Sequence, residues 1–137
     1  MSSFTLHPQL EADSVFISDL QLSQLRLQNQ KTVPWLVLVP RRIEIELYRL
    51  NAGDRGLLMD EIVLASKLLE MLYKPDKINV ATLGNVVPQM HVHIVGRYKD
   101  DPAWPKPVWG NLPPAPYEPE ELTAIQKRLN DAINSQK

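Results

Sequence analysis

Gln89-Met90-His91-Val92-His93-Ile94-Val95 alternates polar and apolar side chains as far as Ile94. A period of two marks a β-strand with one face in a core and the other turned away from it. A strand is therefore expected over Met90 to Val95. Gln89, His91, His93 and Val95 project one way, and Met90, Val92 and Ile94 project into the core. The approach is Gly84-Asn85-Val86-Val87-Pro88, where the glycine allows a bend or a close backbone approach. The strand ends at Gly96-Arg97.

Working outward, Ile78-Asn79-Val80-Ala81-Thr82 reads as a strand, and so does Val15-Phe16-Ile17-Ser18-Asp19-Leu20. Alternation is clean from Ser23 to Leu27, which predicts another. Asn29-Gln30-Lys31-Thr32 is a polar connector. Trp35-Leu36-Val37-Leu38-Val39 is a continuous apolar run between Pro34 and Pro40, as expected of a strand buried on both faces. From Arg41 to Asn51, Ile43, Ile45 and Leu47 alternate with Arg42, Glu44 and Glu46, so the period alone predicts a strand there. Asp54 to Tyr73 carries a broad helical stripe of Leu57, Leu58, Ile62, Ala65, Leu68 and Leu69, and Pro75 stops it.

Residues 99–119 hold Pro102, Pro105, Pro107, Pro113, Pro114, Pro116 and Pro119 with Trp104 and Trp109 among them. Such a stretch suits neither a helix nor an inner strand, and an extended wrapping segment is expected. Glu118-Pro119-Glu120-Glu121 then opens a final helix over 119–134, with Leu122, Ile125, Leu129 and Ile133 as its apolar stripe. The layout implies an α+β fold with a largely antiparallel sheet and two main flanking helices, in one domain spanning 1–137.

The chain has 137 residues and no cysteine. That excludes a disulfide framework, thiolate-ligated zinc, iron–sulfur clusters and a cysteine nucleophile. A net charge of −1 argues against non-specific binding of nucleic acid or anionic membranes. No apolar run approaches the ~20 residues of a membrane span. Met1-Ser2-Ser3-Phe4-Thr5-Leu6-His7-Pro8 lacks the basic and apolar regions of a secretory signal, so a cytoplasmic location is expected.

Two histidines two residues apart on a strand share a face, and three readings of the pair compete. A neutral imidazole can attack phosphorus and form a covalent phosphoramidate, while the second offers a proton or hydrogen bond to an oxygen. Two imidazoles can share a metal ion, with His7, carboxylates or waters completing the set. Or the pair simply sits on a half-exposed strand.

The segment from Asn79 to Arg97 resembles the signature of the histidine-triad superfamily, a strand with three alternating histidines preceded by a Gly-polar pair and an upstream amide. Gln89 stands at the usual first histidine, His91 at the second and His93 at the third. Trp35-Leu36-Val37-Leu38-Val39-Pro40-Arg41 resembles the family's other landmark, a strand ending in proline and a basic residue. Asp101-Pro102-Ala103-Trp104-Pro105-Lys106-Pro107-Val108-Trp109-Gly110 is similar to the tail of a bacterial branch that resembles diadenosine tetraphosphate hydrolases. The likeness runs from about Val15 to Gly110.

The resemblance implies an antiparallel sheet of about five strands, a homodimer, and hydrolysis or transfer of a nucleotidyl group. It makes His91 the nucleophile toward the α-phosphate, oriented by a hydrogen bond from Nδ1–H to a backbone carbonyl. It adds His93 and Gln89 to His91 as catalytic residues, with His93 contacting the leaving or non-bridging oxygens, and makes Asn79, Asn85, Gly84 and Asn29 substrate contacts. Plain explanations also exist, namely a strand-end contact for Asn79, turn chemistry for Asn85 and a loop position for Asn29. Phe16 and Ile17 are candidates for either a base pocket or the core. Arg97 is a candidate phosphate contact.

No metal ligand and no cofactor is required, and nucleotide is the expected partner. Dinucleoside polyphosphates, nucleoside phosphoramidates and nucleotide sugars all carry the phosphate that would be attacked. Three departures stand out. Gln89 replaces the first histidine, Ile43 stands near where relatives carry a fourth, and Val86 stands where they often carry a hydroxyl. They keep open a nucleotide-binding or regulatory module with a degenerate site, beside the metal-binding reading of His91 and His93.

Overall fold

The computed structural model describes residues 4–136. Their order is α1 (Pro8–Asp13), β1 (Ser14–Asp19), β2 (Ser23–Gln28), β3 (Trp35–Pro40), α2 (Ala52–Tyr73), β4 (Lys77–Ala81), β5 (Val92–Arg97) and α3 (Pro119–Ser135). The five strands form one sheet in the order β1-β2-β3-β5-β4, every pairing antiparallel. This is the α+β fold expected from the sequence.

β3 lies at the centre, and all six of its residues are buried. Its period of two divides the interior. Leu36 and Leu38 join the core beneath α2 and α3, with Met90, Val92 and Ile94. Trp35, Val37 and Val39 join a second cluster on the opposite face, with Leu10, Val87, Val95 and Val108. Phe4 and Leu6 pack on that second cluster, so the N-terminal segment covers the face that α2 and α3 leave open.

The helices begin and end where local chemistry dictates. Asn51 caps α2 by accepting from Asp54 N–H at 2.8 Å, so α2 starts at Ala52, two residues earlier than its apolar stripe suggests. Lys74 closes it in the left-handed region at φ 50°, ahead of Pro75. Glu118 and Glu121 form a reciprocal capping box at the start of α3, with Pro119 at its first turn.

Two expectations need correction, and one element had no expectation. Residues 41–51 form no strand, only bends and a 3-10 turn over Leu47–Arg49. Its apolar positions Ile43, Ile45 and Leu47 are all exposed, so the alternating pattern meets no core to pack against. The β5 ladder starts at Val92, so Gln89 and His91 precede it, although Met90 still turns into the core. Finally, α1 was not anticipated. It is a six-residue helix with Pro8 at its start, capped by the ring of His7, whose Nδ1 accepts from Gln9 N–H at 3.0 Å.

Candidate active site

His91 and His93 lie side by side at the entry to β5, their ring centroids 4.8 Å apart and their planes nearly perpendicular. Both rings are buried at 7% exposure and both line a cavity of about 360 Å³. Its walls come from segments far apart in the chain. α1 gives Gln9, Leu10 and Asp13, the end of β2 gives Gln28, β3 gives Trp35, the loop after β4 gives residues 83–87, and the proline-rich segment gives Trp109.

The partners of the two rings fix opposite tautomers. The Nδ1 of His91 lies 2.7 Å from the carbonyl oxygen of Gln89. A carbonyl can only accept, so Nδ1 carries the proton and Nε2 keeps its lone pair. The Nδ1 of His93 instead accepts from the Trp35 indole N–H at 3.0 Å. An indole can only donate, so this Nδ1 is bare and the His93 proton sits on Nε2. Burial and the neighbouring His91 push the His93 pKa down to about 4, so the ring stays neutral across the physiological range. A neutral imidazole whose second nitrogen is occupied offers a hydrogen bond and cannot readily release its proton.

The backbone of His91 is fixed even though it lies outside the ladder. Its carbonyl accepts from the Thr82 hydroxyl at 2.7 Å, so the residue just after β4 holds one side of it. Gly84 turns the following loop at φ 74°, a conformation that disfavours any residue with a Cβ, and delivers Asn85 to the cavity wall. Trp109 lies edge-on to both His93 and Trp35, with centroids at 5.1 Å and 5.7 Å. It also lines an adjoining cavity of about 390 Å³ together with Asp13, Gln28, Asn29 and Trp35.

The structure distributes the sequence-predicted residues unevenly. His91, His93, Gly84 and Asn85 share the cavity. Gln89 does not line it. Its side chain turns to the N-terminal segment while its carbonyl orients His91. Asn79 lies on the same sheet face but accepts from Arg97 Nη1 at 3.0 Å, and it is absent from the cavity wall. Asn29 borders the adjoining cavity, and its Oδ1 accepts from Tyr117 N–H at 2.9 Å.

Arg97 is 2% exposed and grips Asp101 with two hydrogen bonds, at 2.9 Å and 3.1 Å. It anchors the proline-rich segment and is not turned to the cavity. Ile17 belongs to the helix-side core, and Phe16 is not part of the cavity wall. Ile43 is 77% exposed and does not line the cavity of His91 and His93, and the group that meets His93 from β3 is Trp35. Val86 does line the cavity.

Trp35, Thr82, Gln28 and Asp13 were missed by sequence reasoning. Trp35 sits opposite Val95 in the ladder, two register positions from Val37, the partner of His93, and register is not written in the order of residues. Among the described residues no group of three histidine or carboxylate side chains is placed to hold a metal ion. His7, the third histidine, is engaged in capping α1.

The HIT domain family matches residues 9–100. A histidine triad protein from Bradyrhizobium japonicum is similar at 40% identity, covering 96% of this chain and 99% of that one, with a TM-score of 0.92. One from Marinobacter aquaeolei VT8 is 39% identical, covering 98% of each chain, with a TM-score of 0.93. Diadenosine triphosphate hydrolase from Plasmodium falciparum shares the fold at 15% identity, covering 97% of this chain and 84% of that one, with a TM-score of 0.65. No curated protein matches the chain. The match over residues 9–100, on a sheet that sets two histidines side by side in a cavity, identifies this chain as a member of the histidine triad family.

Proposed function

We propose that this protein hydrolyses or transfers nucleotidyl groups, with His91 as the nucleophile. The observation that carries the reading is the hydrogen bond from His91 Nδ1–H to the Gln89 carbonyl, which leaves an Nε2 lone pair on a ring that borders the cavity. In the first step that lone pair forms a bond to the α-phosphorus. The bond to the leaving group breaks, its electron pair departs with the leaving atom, and a leaving amine takes up a proton from water. The Nε2–H of His93 offers a hydrogen bond to the oxygen on which charge develops. In the second step water or another acceptor attacks phosphorus, the P–N bond returns its pair to His91, and the acceptor's proton passes to solvent. Each step is an in-line displacement that needs positioning and a dry, fixed donor set more than acid catalysis.

The cavity wall contains no lysine or arginine, and Asp13 lends it negative charge. A nucleotide whose leaving group carries little charge fits such a wall better than a dinucleoside polyphosphate, which would need a cation of its own. The indole faces of Trp35 and Trp109 and the amides of Gln28 and Asn85 suit a base and a ribose. Asn85 and Gly84 are proposed as contacts to the substrate, and Asn29 and Asn79 as supports behind them.

A homodimer is proposed on the state of the sheet edge. β4 has a partner on one side only, and the apolar side chains of Val80, Leu83 and Val86 are exposed beside it. Light scattering at micromolar concentration should give twice the chain mass, and a monomer would remove this part of the proposal. No helix among the described residues is long and apolar enough to cross a membrane.

The decisive test is product release from a nucleoside phosphoramidate, a nucleotide sugar and a dinucleoside polyphosphate, each with and without chelator. His91→Ala should lower the rate at least ~1,000-fold while the fold survives. Acid-quenched wild type should carry a nucleotidyl group on His91. Full activity in His91→Ala would overturn the assignment.

A further inference from the structure

Gln89 occupies the place of a missing histidine, and its side chain does something specific. Its Oε1 accepts from His7 N–H at 2.7 Å and its Nε2 donates to the Thr5 carbonyl at 2.8 Å. One planar amide thus pairs with two alternate backbone groups, as a neighbouring strand would. The contact spans more than eighty residues of sequence.

The gripped segment forms part of the cavity. Phe4 and Leu6 pack on the Trp35-Val37-Val39 side of the sheet. The ring of His7 caps α1, and α1 contributes Gln9, Leu10 and Asp13 to the cavity wall. The carbonyl of the same Gln89 holds the ring of His91. A single residue therefore fastens the N-terminal wall with its side chain and orients the nucleophile with its backbone.

We infer that Gln89 is a positioning residue that clamps residues 4–13 over the candidate active site, so that its side chain governs how tightly nucleotide is held. The inference rests on the nucleotidyl reading of the site for its consequence, though the clamp itself can be read without any turnover. Its side chain reaches neither the cavity nor the reacting atoms, so it has no part in the chemical step. Glutamine suits the task because it presents one donor and one acceptor from the same plane. Glutamate keeps the acceptor for His7 N–H but sets a carboxylate oxygen against the Thr5 carbonyl. Leucine removes both bonds at similar bulk.

The test joins hydrogen exchange with binding and kinetics on the full chain. Gln89→Leu should speed amide exchange across residues 4–13 about tenfold or more, with β3 and α2 unchanged. Gln89→Glu should fall between it and wild type. Adenosine monophosphate should bind Gln89→Leu several-fold more weakly, and KM should rise by more than kcat falls.

His7→Pro supplies an independent variant. It deletes the N–H that Gln89 grips, and the φ of −59° at His7 already suits proline. His7→Ala serves as its control for loss of the ring. The effects of His7→Pro and Gln89→Leu should be less than additive. Unchanged exchange over residues 4–13 in Gln89→Leu would overturn the clamp. Loss of turnover in Gln89→Leu with unchanged exchange and binding would instead make the side chain catalytic. If wild type turned over no substrate, the nucleotidyl reading would fail, and exchange and binding would still decide the clamp.

Discussion

The two faces of the sheet are built on different principles. One is covered by α2 and α3, whose apolar stripes pack on Leu36, Leu38, Val92 and Ile94. The other is covered by an N-terminal segment with a six-residue helix and by a proline-rich strap. The helical face is held by area, with Leu38, Leu68, Leu69 and Leu129 excluded from solvent. The site face buries a smaller apolar cluster around Trp35, Val37 and Val39, and single polar contacts between distant residues fasten its coverings. Gln89 ties down residues 5 and 7, Asn29 and Gln30 tie down Tyr117 and Pro113, and Arg97 with Asp101 pins the start of the strap. Burial of area is tolerant and additive, whereas a point contact can be lost in one substitution. The site thus stands on the face where small changes matter most.

The sharpest way to break the comparison is Asp101→Ala. It strands the Arg97 guanidinium at 2% exposure and removes the acceptor for Tyr98, Ala103 and Trp104 N–H groups. A loss of about 3–5 kcal/mol in urea denaturation is expected, from the cost of an unpaired buried charge, together with weaker nucleotide binding as the start of the strap that carries Trp109 comes loose.

Leu68→Ala, on the helical face, should cost about 2–5 kcal/mol by leaving a cavity. Turnover per folded molecule should stay unchanged. If both variants altered nucleotide affinity equally, the division between faces would be wrong.

Trp109→Ala removes the wall shared by the two cavities. It should weaken nucleotide binding by roughly tenfold, as loss of an aromatic contact does, with a smaller effect on melting temperature. Isothermal titration against adenosine monophosphate would measure it.

Acid sharpens the comparison further, because both perturbed groups lie on the site face. The His93 pKa is lowered, so between about 6.5 and about 4 the unfolded chain binds a proton that the folded chain refuses. Stability should therefore fall as pH drops through that window. The Asp101 pKa is held down to about 2, chiefly by the hydrogen bond from Arg97. Its contribution is complete above the ordinary carboxylate range and is lost as pH falls toward about 2.

The smallest effect expected is that of Trp35→Phe, which frees His93 Nδ1. Its ring should then titrate closer to the ordinary value, and nuclear magnetic resonance of the ring protons would follow it. An unmoved titration would show that the indole bond does not help keep His93 neutral.

Much of the architecture was legible because periodicity reports burial. The run from Trp35 to Val39 announced a central strand, and the stripes after Asp54 and Pro119 announced the two helices. The same rule misled at Ile43 and Ile45, where alternation was real but both side chains are exposed and face no core. It was silent on α1, where the capping group is a histidine ring. In the site, alternation placed His91 and His93 together, and Gly84 marked the bend that brings Asn85 in. It did not separate Asn79, which is taken up by Arg97, from residues that reach the cavity.

By itself the sequence determined that β3 is buried on both faces, where α2 stops and α3 begins, and that two histidines share one surface. These follow from local geometry and the fixed periods of strand and helix. Only the tertiary structure decided the tautomers of those histidines, the partner of Gln89 and the place of Trp109. Each depends on hydrogen-bond donors and acceptors brought together from residues far apart in the chain, and register and chain path bring them there.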